Sequence, residues 1–180
     1  MEHSSSSSNS EPFIVPIAEA ALDPAVSTAI GRAQSLGALT STVLPRIWAH
    51  RPELASAQIA LHTRFYDDAI LPARMLELVR LRIASVNACE VCQISRKSDD
   101  VSERDIACLG ADESRFSAAE RAALNYAALF AEDHRSVGRG NFEDLRLYFS
   151  EPEVVELAMF AALMVGSGRL AYALRAFGVG

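Results

Sequence analysis

From Pro72 to Val86 the chain reads PARMLELVRLRIASV, with Met75, Leu76, Leu78, Val79, Leu81, Ile83 and Val86 spread around most of a helical circumference. A helix at a protein surface carries one apolar stripe, whereas one that is apolar on nearly every side must be enclosed by others. The stretch therefore predicts a central, mostly buried helix around which the remaining elements pack. Glu77, Arg80 and Arg82 lie on that helix and need partners, since charge is buried only when it is paired.

The flanking sequence repeats a helical grammar. Asp23-Pro24 is a cap followed by the residue best suited to a first turn, and Val26, Ile30 and Ala33 recur on one face until Gly37. Ser41 to His50 predicts a short helix disturbed by Pro45. Pro52 to about Asp67 predicts a third, with Leu54, Ile59, Leu61 and Phe65 facing inward. Asn87-Ala88 marks a break before a new helix over about 89–98. Ser102 with Asp105, Ser117 with Glu120 and Ser150 with Glu153 each have the spacing of a capping box, and Asn141 is read as a further cap. The last of these helices is apolar around most of its circumference up to a break at Gly166-Ser167-Gly168, which predicts burial in the monomer or between subunits. No run alternates with period two between turn residues, so the fold class is all-α.

Half of the 180 residues are apolar, enough for one domain with a proper core, assigned to residues 13–180. The Ser-rich residues 1–12 lack the apolar side chains that would offset the entropy of ordering and are expected to be disordered; Phe13 to Ile17, interrupted by Pro16, is expected to be an extended arm. A net charge of −6 provides no basic face for a phosphate backbone, so nucleic acid is not an expected partner. Neither a secretory signal nor a run of roughly 20 apolar residues is recognised, which leads to the expectation of a cytoplasmic protein without a membrane partner.

Cys89 and Cys92 stand three residues apart, a spacing that on a helix projects both sulfurs from one face, close enough to exchange between dithiol and disulfide. So small a ring removes little unfolded-state entropy, which favours redox work over bracing. Cys108 is read as a small buried side chain. His62 and His134 have no neighbours at metal-ligand spacing, and no metal or cofactor is expected.

Glu77, eleven intervening residues and Cys89-Glu90-Val91-Cys92, set in ELVRLRIASVNACEVC, resemble the alkylhydroperoxidase D and carboxymuconolactone decarboxylase superfamily. The resemblance extends over roughly residues 13–178. It implies an all-helical AhpD-like fold assembled through apolar helices into homotrimers or homohexamers, and a thiol-dependent peroxidase or disulfide oxidoreductase activity. By the same resemblance Cys92 is oxidised to a sulfenic acid, Cys89 resolves it into a disulfide, and Glu77 assists proton transfer. A small hydroperoxide would be the substrate and an external dithiol the reductant. The family pattern has a histidine four residues after the second cysteine, and Arg96 stands there instead. Arginine cannot shuttle a proton near neutrality, but it can hold a thiolate by charge or pair with Glu77. Two other functions compete with this one: a cysteine-independent lyase of the carboxymuconolactone decarboxylase type, and a non-catalytic metal- or ligand-binding helical oligomer.

Overall fold

The structure, a computed structural model, describes residues 11–88 and 93–176. Eight α-helices follow in order: α1 Pro24–Ser35, α2 Val43–Trp48, α3 Pro52–Asp67, α4 Ala73–Val86, α5 Glu103–Cys108, α6 Ala118–Asp133, α7 Arg139–Arg146 and α8 Glu151–Ala173. There is no strand among the described residues, as the absence of period-two alternation predicts. Cys89 and Cys92, and the start of the helix expected to carry them, lie outside the described residues.

The chain falls into two compact units, one holding the described residues up to Arg64 and from Leu170 onward, the other Phe65–Arg169. In the first, Asp23 accepts a hydrogen bond from the Ala25 amide at 2.8 Å and opens α1, which buries Val26, Ile30 and Ala33. The segment around Phe13 to Ile17 is an extended arm. The Phe13 amide donates to the Leu174 carbonyl at 3.0 Å, the Ile17 amide to the Arg46 carbonyl at 3.1 Å, and the Arg175 guanidinium lies 4.4 Å from the Phe13 ring centre. On α3 the inward positions differ from the expected ones. Ala55, Ile59 and Thr63 are buried, whereas Leu54 and Leu61 are exposed. The small residues follow the helical spacing set by Ile59, and Thr63 returns its hydroxyl to the Ile59 carbonyl at 2.7 Å.

The second unit is built around α4. Met75, Leu76, Val79 and Ile83 enter one apolar cluster with residues of α6, α7 and α8, while Leu78 and Leu81 enter another with Val101, Phe116 and Leu124. Contact on two opposed sides explains why the helix has no solvent-facing stripe. Phe65 and Phe160 close the larger cluster with ring centres 5.2 Å apart.

Two further expectations are corrected. Asn141 is the third residue of α7 rather than its cap; its side-chain oxygen accepts from the Gly138 amide at 2.9 Å, so it satisfies the helix start from inside. The Gly166-Ser167-Gly168 triplet does not break α8, which runs on to Ala173. Gly168 has a packing reason, because a Cβ there would stand 2.9 Å from the Asn87 side-chain nitrogen. By length and composition α8 is also long and apolar enough to cross a membrane, contrary to the expectation from sequence; Val154, Leu157, Phe160 and Ala161 on it are core residues.

The capping boxes form as spaced, and the first of them has a second use. Asp105 accepts from the Ser102 hydroxyl at 2.7 Å and amide at 3.0 Å, from Arg74 at 3.2 Å and from Arg115 at 3.1 Å, joining α4, α5 and the turn before α6. The Ser102 hydroxyl, with the Ser102 amide, Arg74 and Arg115 behind it, holds the Asp105 carboxyl far below the usual carboxylate range despite its burial. A carboxyl with a depressed folded pKa stabilises above its unfolded value, near 4, and loses that stabilisation as the pH falls toward the folded value. Asp105→Asn is therefore expected to cost about 2 kcal/mol near neutral pH. In urea titrations the gap to wild type should narrow as the pH drops below about 4.

Candidate active site

The third face of α4 is polar where the first two are apolar. Glu77, Arg80 and Ala84 lie on it at helical spacing, and the chain after the cysteines returns along it in the opposite direction. The Lys97 amide donates to Glu77 Oε1 at 3.0 Å, Arg80 Nη2 to the Ser95 carbonyl at 2.6 Å, and Gln93 Nε2 to the Ala84 carbonyl at 3.4 Å. Residues 93–97 are thus laid against α4 by side chains of the buried helix rather than by apolar packing. Just before the undescribed stretch, α4 ends at Asn87, and Ala88 takes a left-handed φ of 50°, a conformation that costs a residue with a Cβ.

Glu77 and Arg80 are almost wholly inaccessible, at 2% and 6% exposure. They meet in a bidentate pair, Arg80 Nε to Glu77 Oε2 at 2.7 Å and Arg80 Nη2 to Glu77 Oε1 at 2.8 Å. Of the three arginines considered for Glu77, Arg80 is therefore the partner. Arg82 instead approaches Glu132 at 3.8 Å and fills the space over Gly110, where an added Cβ would stand 2.6 Å from its Nη1. Gly110 also has φ +77, so backbone and packing both require glycine.

Arg96, in the position where the sequence resemblance places a histidine, is turned away from Glu77. Its guanidinium pairs with Glu103 at 2.9 Å and donates to the carbonyls of Gln93 and, at 2.9 Å, Ile94. In that geometry it caps the carbonyls of the helical residues after the cysteines.

Two groups that the sequence did not single out complete the cluster. Tyr66, from the last turn of α3, is buried, and burial above all drives its hydroxyl pKa well up, with Arg80 and Glu77 acting on it in opposite directions. Lys97 is half-buried. Burial first, then the positive charge of Arg80, lowers its pKa to about 8, against the opposing pull of Glu77. Only the spacing of Glu77 and Arg80, three residues apart, was a readable signal; nothing local marks Lys97 among the basic residues of the chain.

The remaining candidates lie elsewhere. Cys108 is half-buried against the Leu78 cluster, in keeping with a packing role, and His134 opens an exposed 3-10 turn. His62 lies on α3 in the other unit. Among the described residues no group of three His, Cys, Asp or Glu side chains is arranged to hold a metal. Removing one member of a buried pair leaves an uncompensated charge, so Glu77→Ala is expected to destabilise the protein by about 3–5 kcal/mol. Hydrogen exchange at the Lys97 amide should accelerate at the same time, because its acceptor is gone.

No family model and no curated protein matches the sequence. Solved structures do match. The debrominase Bmp8 superposes with a TM-score of 0.75 at 18% identity, over 91% of this chain and 90% of that one. A cysteine-to-alanine variant of Bmp8 in complex with 2,3,4-tribromopyrrole gives 0.76 at 16% identity over the same shares. An AhpD-core, peroxidase-related protein from Ralstonia eutropha JMP134 gives 0.69 at 24% identity, over 91% of this chain and 89% of that one. A protein of unknown function from Agrobacterium tumefaciens, named for the antioxidant defence protein AhpD, gives 0.62 at 23% identity, over 71% of this chain and 92% of that one. With eight helices in this arrangement, the chain has the all-helical fold of the AhpD-like proteins.

Proposed function

We propose that this protein is a dithiol oxidoreductase in which Cys89 and Cys92 cycle between dithiol and disulfide. The observation that carries the reading is the placement of the most buried ion pair of an AhpD-like fold, Glu77 with Arg80, beneath the segment that immediately follows Cys89-x-x-Cys92. Burying two charges is costly, and replacing them with apolar residues would often be neutral or stabilising. Their use to hold a segment next to two cysteines fits a site whose geometry matters more than its stability. Cys92 attacks the substrate and Cys89 closes the disulfide, with a small hydroperoxide as substrate and an external dithiol as reductant. Glu77 and Arg80 position the segment.

The superposition on Bmp8 over nine-tenths of both chains supports a second reading, in which the same thiol pair reduces a carbon–halogen bond on a small aromatic heterocycle. Two thiols supply the two electrons, the carbon gains hydrogen, halide leaves, and the products are the disulfide and a reduced ring. Halide release from a bromopyrrole, set against consumption of a hydroperoxide, separates the two.

A homotrimer or homohexamer is proposed as the working assembly. Leu147, Val155 and Met159 are large apolar side chains exposed on the second unit, and their burial between copies would offset the cost of exposing them. Sedimentation at micromolar concentration should return a multiple of the chain mass; a monomer would refute the assembly.

One equivalent of hydroperoxide is expected to remove two hydrogens from the wild-type mass and link Cys89 to Cys92 in peptide maps, leaving Cys108 reduced. Cys92→Ser should consume no hydroperoxide. Wild-type protein that keeps both thiols through this treatment would sink the peroxidase reading.

A further inference from the structure

The thiol chemistry proposed for Cys89 and Cys92 leaves one role unfilled, and the assignment of that role rests on it. Cleavage of an O–O bond by a thiolate expels an alkoxide, which needs a proton as it departs. Glu77 is poorly placed to give one, since its two oxygens accept from Arg80 Nε, Arg80 Nη2 and the Lys97 amide. Arg80 and Arg96 are guanidinium groups that stay charged and are committed, the first to Glu77 and the Ser95 carbonyl, the second to Glu103 on α5 and the carbonyls of Gln93 and Ile94. Tyr66, reaching the cluster from α3, keeps its proton too tightly, because burial opposes the phenolate.

We propose that Lys97 is the proton donor of the thiol site, held there by its own backbone amide on Glu77. Four observations converge on it. It follows Cys92 by five residues, on the segment anchored to the polar face of α4. Its side chain is half-buried within reach of the charges of Glu77 and Arg80, the ionised groups that face it from α4. Arg96, its neighbour on its own segment, is turned to Glu103. Burial and Arg80 lower its pKa to about 8, near the working range of a general acid at neutral pH.

The chemistry closes. The Cys92 thiolate attacks the hydroperoxide: an S–O bond forms, the O–O bond breaks, and the sulfur is oxidised to the sulfenic acid. The departing alkoxide takes a proton from the Lys97 ammonium and leaves as an alcohol. The neutral amine then accepts the Cys89 thiol proton, the Cys89 thiolate displaces hydroxide from Cys92, and the hydroxide takes that proton and leaves as water. An external dithiol reduces the disulfide with two electrons and two protons, and one of these protons passes from the Cys92 thiol to Lys97, restoring thiolate and ammonium.

The test measures two rates in the full-length protein between about pH 6 and pH 10: disulfide formation with hydroperoxide, by quenching and mass spectrometry, and alkylation of the thiols by iodoacetamide. Wild-type oxidation is expected to fall above about pH 8 as Lys97 loses its proton, while alkylation keeps rising or levels off. Lys97→Met and Lys97→Arg should both slow oxidation about 100-fold and lose that fall. Lys97→Arg keeps the charge, so its alkylation should stay near the wild-type rate, which separates proton donation from charge and from a folding defect. Oxidation by either variant within twofold of wild type, or a wild-type profile without an inflection near pH 8, overturns the proposal. Should wild-type protein form no disulfide at all, the thiol reading fails by itself. The alkylation profiles then decide whether Lys97 is coupled to the thiols: an inflection lost in Lys97→Met supports it, and identical profiles overturn it.

Discussion

The pair of Glu77 with Arg80 is the interaction on which the rest of the second unit depends. A carboxylate and a guanidinium at 2% and 6% exposure are tolerated only with nearly every polar atom engaged, and the atoms left over after the pair forms are directed at one segment. The Ser95 carbonyl and the Lys97 amide complete the shell. The same contacts that satisfy the buried charges therefore fix where the chain beyond the cysteines lies. Stability and placement are one requirement here.

Around that pair, α4 divides its circumference into three duties. Met75, Leu76, Val79 and Ile83 fill the larger apolar cluster, Leu78 and Leu81 the smaller, and Glu77, Arg80 and Ala84 receive the returning segment. Asp105 plays a comparable part at the other end of the unit, gathering Ser102, Arg74 and Arg115 onto one carboxylate. Both centres are built from charge satisfied by several donors, and both tie irregular chain to helices that apolar packing already holds.

Features set by neighbours along the chain were legible in the sequence: the Asp23 cap, the Ser102, Ser117 and Ser150 boxes, the break at Asn87 and the enclosure of α4 all follow from local spacing. What was not legible depended on distant partners. Leu54 and Leu61 looked inward by size, yet Ala55 and Thr63 occupy the face that Ile59 selects. Gly166 and Gly168 looked like a break because each costs a helix about 1 kcal/mol, but Asn87 needs the space that a side chain at 168 would fill. The Glu77 partner was among the arginines the spacing allowed. Arg96 was read toward Glu77, and Glu103 claimed it instead, an exposed residue seven positions on with nothing local to mark it. Lys97 enters the cluster through a backbone contact twenty residues back along the chain, which no pattern of residue types records.

Glu77 and Arg80 belong to the same helix, one turn apart. Their pairing therefore needs no distant part of the chain, and it is in place as soon as that helix exists during folding. The receiving groups for Ser95 and Lys97 are ready before those residues arrive, so the segment behind the cysteines docks onto a finished template. Its attachment and release then form a local event, separable from the collapse of the core.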